Sequence, residues 1–337
     1  MGKHEDGLSR RAVLKALGSV AAVGALGATS LASVAPPVAG KPLRGLFPIA
    51  ASPFTAEDKL DLECLNAEVA FCNRGGVPGL IWPQIASGWS TLSSAERFAG
   101  AESLISAGKG GRTAIVIGVQ TKGNDLPGAI AFAQHAAKHG ADAICSLPPE
   151  GGSSAALEYY KAIGKATDLP LFVQTIGDMP VDLVVEMFQS IPTMRVLKDE
   201  AGDPLARIPE IRRRTGDKLA VFAGRGVRLM IDEMQLGFAG YCPVVGLADV
   251  YQQAYELYQA GKPREAFDMF GRILALGSIE HADQYMMVAR GIFKEDTRTR
   301  PTPGMGPAAN AQAPLTEAQK QAVRAALETY MKPWLRA

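Results

Sequence analysis

The sequence predicts a (β/α)8 barrel, of the TIM type, with a helical extension at its C-terminal end. Three observations predict it. Short apolar runs and stretches of helical periodicity alternate eight times between residues 45 and 245. The runs lack the in-and-out alternation of a half-exposed strand, so they belong to a parallel sheet covered on both faces. Eight such units in roughly 200 residues fit a closed barrel better than an open doubly wound sheet. No GxGxxG follows the first run, which argues against a dinucleotide site.

Taken in order, the chain begins with Ser9-Arg10-Arg11-Ala12-Val13-Leu14-Lys15, a twin-arginine pattern. An uncharged run rich in Gly and Ala follows, from Ala16 to Val38. Residues 1–39 are therefore expected to be a twin-arginine export signal, cut after Ala39, which gives the mature chain a periplasmic address. No other stretch is long and apolar enough to span a bilayer, so no stable membrane insertion is expected after processing.

The barrel is expected over residues 40–249. Its strands are predicted at Leu46–Ala51, Gly79–Trp82, Ala114–Val119, Ala143–Leu147, Leu171–Thr175, Met194–Lys198, Leu219–Ala223 and Gly240–Val245. Helices are predicted between them, among others at Leu62–Asn73, Ser93–Ala107, Asp125–His139, Ala155–Thr167, Val181–Ser190 and Gly226–Leu236. Glycines close several of these, as in Arg74-Gly75-Gly76 and Lys138-His139-Gly140. Residues 250–337 form the helical extension, with helices at Val250–Gln259, Pro263–Ala275 and Gln284–Phe293. A Pro/Gly-rich loop over Arg300–Pro307 and a last helix to about Met331, capped by Thr316, complete it.

Composition narrows the function. With 47% hydrophobic and 20% charged residues, the chain of 337 has ample material for one large core. A net charge of +1 argues against nucleic acid as a partner. Cys64, Cys72, Cys145 and Cys242 form neither a CxxC nor a Cys/His zinc spacing, and read as small buried hydrophobes. His135 and His139 stand one helical turn apart; with no carboxylate in an HExxH-type pattern beside them, they read as a solvated helix face. No metal site is expected.

Barrel enzymes place their chemistry at the carboxyl ends of the strands. That rule selects Ser52–Thr55, Pro83–Gly88, Pro148–Gly152, Gln174 and Thr175, Lys198, and Gly224–Gly226. Lys198 is the one lysine at a strand's carboxyl end, and its phase with Met194 and Val196 sets it on an apolar side. Full burial there would lower its pKa by roughly 3–5 units, giving a neutral amine. Such an amine forms imines with carbonyl substrates.

From about Arg44 to the C-terminal end, the chain resembles the dihydrodipicolinate synthase / N-acetylneuraminate lyase family of pyruvate-type class I aldolases. The resemblance rests on Ser52-Pro53-Phe54, on Leu92-Ser93-Ser94-Ala95-Glu96-Arg97 and on Val196-Leu197-Lys198-Asp199-Glu200. It extends through Ala223-Gly224-Arg225-Gly226, Gln235–Gly240, Gly291-Ile292-Phe293 and Arg300-Pro301. It implies a barrel enzyme that joins Lys198 to a 2-oxo acid as an imine, with no metal or organic cofactor and as a homo-oligomer, a dimer or tetramer.

Departures from the family pattern are as informative. The loop that holds the pyruvate carboxylate, usually Gly-Thr/Ser-Thr-Gly-Glu, is Gln84-Ile85-Ala86-Ser87-Gly88 here, without the threonine hydroxyls. Backbone amides of Ala86 and Ser87, the Ser87 hydroxyl and Gly88 are the expected replacements. The proton-transfer tyrosine is replaced by Glu150, and that of the strand-five segment by Val173, followed by Gln174. Glu150 would carry protons if burial raised its pKa. Gly224 and Arg225 would hold a carboxylate or hydroxyl, or Arg225 would pair with the Asp199–Glu200 loop. The arginine that holds a second carboxylate in the lysine-biosynthetic enzymes has no counterpart in Glu150–Ser154, which argues against dihydrodipicolinate synthesis itself.

The expected function is a Schiff-base lyase, an aldolase or dehydratase, acting on a 2-oxo acid such as pyruvate or a deoxy sugar acid. A binding protein of the same fold without catalysis is the alternative, favoured by the lost threonines and tyrosine. A hydrolase using Glu150 as base is a third reading.

Overall fold

Eight parallel strands follow one another around a ring in the computed structural model, which describes residues 40–302 and 314–337. The expected leader and the Pro/Gly-rich passage beyond Thr302 lie outside the described residues. The strands are β1 (Gly45–Leu46), β2 (Gly79–Trp82), β3 (Ala114–Gly118), β4 (Ala143–Ser146), β5 (Leu171–Gln174), β6 (Met194–Asp199), β7 (Ala220–Ala223) and β8 (Gly240–Tyr241). β1 pairs with β8, and the order then runs back from β8 to β2. Ile49 closes the ring by bridging both Ile81 and Val244. β1 is shorter than expected because Pro48 has no N–H to donate to the ladder.

Inside the ring, the rings of Phe47, Phe172 and Phe222 meet with centroids 5.3–5.7 Å apart. Their bulk explains two strand glycines. A Cβ on Gly79 would lie 2.1 Å from Phe47, and one on Gly240 would lie 2.4 Å from Phe222. Val196, Cys145 and Cys242 belong to this inner cluster, whereas Met194 packs in the outer one. The register between β5 and β6 shifts at that point, so Arg195 is an extra residue and Met194 faces away from the side that Val196 faces. The shared side expected for Met194 and Lys198 is corrected accordingly.

The outer layer consists of α1 (Leu62–Gly75), α2 (Ser94–Gly108), α3 (Leu126–His139), α4 (Gly152–Ala166), α5 (Val181–Ser190), α6 (Pro204–Thr215) and α7 (Met230–Gln235). Asp61, Asp125 and Asp203 cap α1, α3 and α6, and Ser93 with Glu96 forms a capping box on α2. α7 starts later than expected. Arg225, Gly226 and Val227 all take positive φ, and form a tight turn before it. The extension comprises α8 (Ala248–Gln259), α9 (Pro263–Gly277), α10 (Ala282–Ala289) and α11 (Glu317–Ala326), the last opened by the expected Thr316 cap. Asp249 on α8 ties the extension together, accepting from Arg290 at 2.8 and 3.2 Å and from the Arg336 backbone at 2.9 Å.

Glu233 on α7 is buried with one carboxylate oxygen unpartnered. Burial, and then the neighbouring Asp232, push its carboxyl up to about 7, against the charge of Arg225. A carboxyl raised in the fold stabilises fully below the ordinary carboxylate range, and that contribution is lost as pH rises through about 7. Glu233→Gln is expected to flatten the fall in melting temperature between about pH 5 and 7; an unchanged slope would refute the assignment.

Candidate active site

The candidate site is built around the carboxyl end of β6. Lys198 is 5% exposed, inside the ring, with Gln174 and Phe222 as its register partners on the flanking strands. Its Nζ donates to Oε1 of Glu200 at 2.9 Å. Burial pushes the ammonium down, but the charge of Glu200 and its hydrogen bond outweigh it and hold Lys198 above its ordinary range. The neutral amine expected from burial alone is therefore corrected: before substrate arrives, Lys198 is an ammonium on a fixed carboxylate. Burial keeps the nearby thiols neutral, with Cys145 pushed up to about 12 and Cys242 raised further.

Glu200 is held from every side. Its Oε1 also accepts from the Arg225 backbone N–H at 3.1 Å, and its Oε2 accepts from Nε2 of Gln174 at 2.5 Å. The Thr175 hydroxyl accepts from the N–H groups of Glu200 and Ala201 at 2.9 and 3.1 Å, and donates to Asp199 at 2.6 Å. Arg207 grips Asp199 with two bonds of 3.0 Å. Asp199 and Glu200 thus part company: one anchors the loop outside the ring, the other stands beside the lysine. A Cβ on Gly224 would fall 1.6 Å from Oε1 of Glu200, so the carboxylate occupies the space of a missing side chain.

The other expected residues are placed as follows. The Ser87 hydroxyl donates to the Ala50 carbonyl at 2.5 Å and accepts from the Gln84 N–H at 3.0 Å, so it shapes its loop and is not free for a carboxylate. Ile85–Ser87 form a single 3-10 turn closed by Gly88 at φ 66°, which leaves the Ala86 N–H at the turn's start without a partner inside it. Arg225 is exposed and spends its guanidinium on the carbonyls of Gly202, at 2.7 Å, and Glu200. It pins the Glu200 loop through backbone, in place of the expected side-chain pair or substrate clamp. Glu150 is exposed and its backbone is paired with Asn124, at 2.8 and 3.0 Å, so the burial its acid role required is absent.

Sequence reading gave Glu200 only a loop-pairing role; the signal was a second acidic residue directly after Lys198-Asp199. It also passed over Gln84. This side chain is buried, donates to Gln120 at 3.2 Å and to Cys145 at 3.4 Å, and keeps its Oε1 unpartnered. Oε1 of Gln174 is likewise buried and unpartnered. The tyrosines nearest the β4 and β5 ends do not replace the lost proton carrier. Tyr160 donates to the carbonyls of Ser146 and Gln174, at 2.8 and 2.9 Å, and burial holds its hydroxyl well above the ordinary range. Removing the counter-charge is expected to release Lys198. In Glu200→Gln, and in Gly224→Ala where the new methyl displaces the carboxylate, an amine-specific reagent followed by the mass of the Lys198 peptide should label it at lower pH than in the parent. An unshifted profile would contradict the pairing.

The chain matches the Dihydrodipicolinate synthetase family over residues 42–328. It is 29% identical over 200 residues to the 4-hydroxy-tetrahydrodipicolinate synthase of Methanosarcina mazei, a match that covers 56% of this chain and 66% of that enzyme. Among solved structures it is similar to dihydrodipicolinate synthase from Aquifex aeolicus, with a TM-score of 0.72 and 19% identity over 86% of this chain and 99% of that one. It is also similar to YagE from Escherichia coli, a prophage protein of the dihydrodipicolinic acid synthase family solved with pyruvate, with a TM-score of 0.70 and 20% identity over 86% of this chain and 98% of that one. The barrel order, a lysine at the end of β6 and a match along almost the whole described barrel lead to one conclusion: this chain belongs to the dihydrodipicolinate synthetase family.

Proposed function

We propose that the protein is a Schiff-base lyase that cleaves or dehydrates a hydroxylated 2-oxo acid, with Lys198 as nucleophile and Glu200 as proton carrier. The observation that carries this reading is the contact of 2.9 Å between buried Lys198 and half-buried Glu200 at the carboxyl end of β6. Glu200 takes a proton from the ammonium, and the freed amine attacks the keto carbon. A second proton passes from the nitrogen to the alkoxide that the attack creates, making it a hydroxyl. The carboxyl of Glu200 then returns the first proton to that hydroxyl, so that water leaves as the protonated imine forms. In carbon–carbon cleavage, the base removes the proton of the substrate's 4-hydroxyl while the adjacent bond breaks. The electron pair passes into the protonated imine, which becomes an enamine. Protonation of that enamine and hydrolysis, which consumes the water, release the oxo acid and restore the lysine.

The lining supports a substrate with several hydroxyls. Oε1 of Gln84 and Oε1 of Gln174 are buried acceptors that a hydroxyl donor would satisfy. The Ala86 N–H is the remaining candidate for the carboxylate, by its place at the start of a turn. Glu150 is not needed for any of these steps, and its exposure gives no support to a hydrolase built on it. The twin-arginine pattern at Ser9–Lys15 supports the further proposal that the enzyme works outside the cytoplasm. Replacing Arg10 and Arg11 by lysine should leave the protein in the cytoplasmic fraction, and unchanged fractionation would count against export.

Borohydride reduction in the presence of pyruvate is expected to add the mass of a reduced pyruvyl imine to the Lys198 peptide, and Lys198→Ala to abolish it. No adduct across a series of 2-oxo acids would overturn the imine mechanism. An adduct without turnover of any hydroxylated 2-oxo acid would favour the binding-protein reading. Glu200→Gln should still trap but lose about 10²–10⁴-fold in kcat, the usual worth of a positioned acid–base group.

A further inference from the structure

We propose that Glu102, His135 and His139 form a zinc-type metal site on the outer wall of the barrel, tying α2 to α3. The sequence shows no carboxylate patterned with the two histidines, but the fold supplies one from the neighbouring helix. Oε1 of Glu102 lies 2.9 Å from Nε2 of His135 and 3.7 Å from Nε2 of His139. One donor atom from each of the three residues lies within 4.8 Å of the other two.

Metal geometry agrees with this spacing. Zinc bound tetrahedrally at about 2.0–2.2 Å holds its donor atoms roughly 3.3–3.5 Å apart. The two separations from the carboxylate bracket that range and the two imidazole donors lie within 4.8 Å of each other, so side-chain adjustment without movement of the helices seats an ion. The side chains free to make it are Glu102, half exposed, and His139, about a third exposed. His135 is held instead: its ring packs at 4.6 Å on Phe98, which packs at 4.9 Å on Phe132. The two imidazoles lie 4.3 Å apart, at 31° to one another, as expected for residues one turn apart on a single helix face.

Two neutral imidazoles and one carboxylate suit zinc, copper or nickel, and suit calcium or magnesium poorly, since those prefer all-oxygen shells. A fourth position is left to water. Lys138 works against the site, its charge being felt at Glu102, and it keeps the affinity moderate. Both histidines lie in the second half of α3, at the end of the barrel opposite Lys198, because helix and strand run antiparallel in each unit. The site therefore acts as a clamp between outer helices and takes no part in the chemistry of the mouth.

Titration of the chelator-treated full chain with zinc alone, by calorimetry, tests the proposal. One equivalent is expected to bind and to raise the melting temperature, whereas calcium should do neither. His139→Ala and Glu102→Gln should each weaken zinc binding by about tenfold or more. Both side chains are partly exposed, so these variants remain readable where His135→Ala fails to fold. Absence of zinc binding would overturn the proposal, as would binding that His139→Ala and Glu102→Gln leave unchanged, which would place the ion elsewhere.

Discussion

A buried ammonium requires a fixed counter-charge, and the upper end of this barrel is arranged around that requirement. Lys198 is taken out of water by the inner wall, and an isolated charge there would be strongly disfavoured. Glu200 supplies the compensation, and its own placement depends on several neighbours at once. Gln174 takes one oxygen, the Arg225 N–H shares the other with the lysine, and Thr175 ties the backbone on which the carboxylate stands. None of these contacts is strong alone. Together they hold a proton donor and a proton acceptor at hydrogen-bond distance before any substrate is present, which is the preorganisation that acid–base chemistry needs.

The mouth of the barrel divides its labour differently from the family pattern. In that pattern the loop after β2 offers hydroxyls to the substrate. Here the corresponding loop turns inward for its own support: Ser87 is tied to Ala50 and Gln84, and Ser52 to the Ser87 carbonyl at 2.6 Å. Its polar side chain toward the interior is an amide, Gln84, whose acceptor is buried without a partner, as is that of Gln174 on β5. An unpaired buried acceptor costs the full desolvation of that group, so each of these oxygens favours a donor.

Much of the architecture could be read from periodicity. The eight apolar runs lie where strands form, and Asp61, Asp125, Ser93 and Thr316 announce helix starts by local hydrogen-bond chemistry that needs no tertiary partner. Lys198 was legible too, since its position at a strand end is a one-dimensional fact. Its environment was not. The sign of its pKa shift turns on Glu200, and whether a neighbour two residues along points inward depends on how the strand ends and on the space left by Gly224, twenty-four positions later. Glu150 misled for the matching reason: alignment to a motif gives a position in the chain but says nothing of burial. The bulge at Arg195 was equally hidden, because register is decided by the partner strand and not by the strand itself. The carboxylate beside His135 and His139 came from another helix, beyond the reach of any local pattern.

Gly224 has a consequence for the site. With only 1.6 Å between a Cβ built there and the Glu200 carboxylate, the place of that carboxylate depends on the glycine. Any side chain at the end of β7 would have to push the carboxylate away from its place beside the lysine. The absence of a side chain at one strand end is thus what lets the acid at the neighbouring one reach the amine.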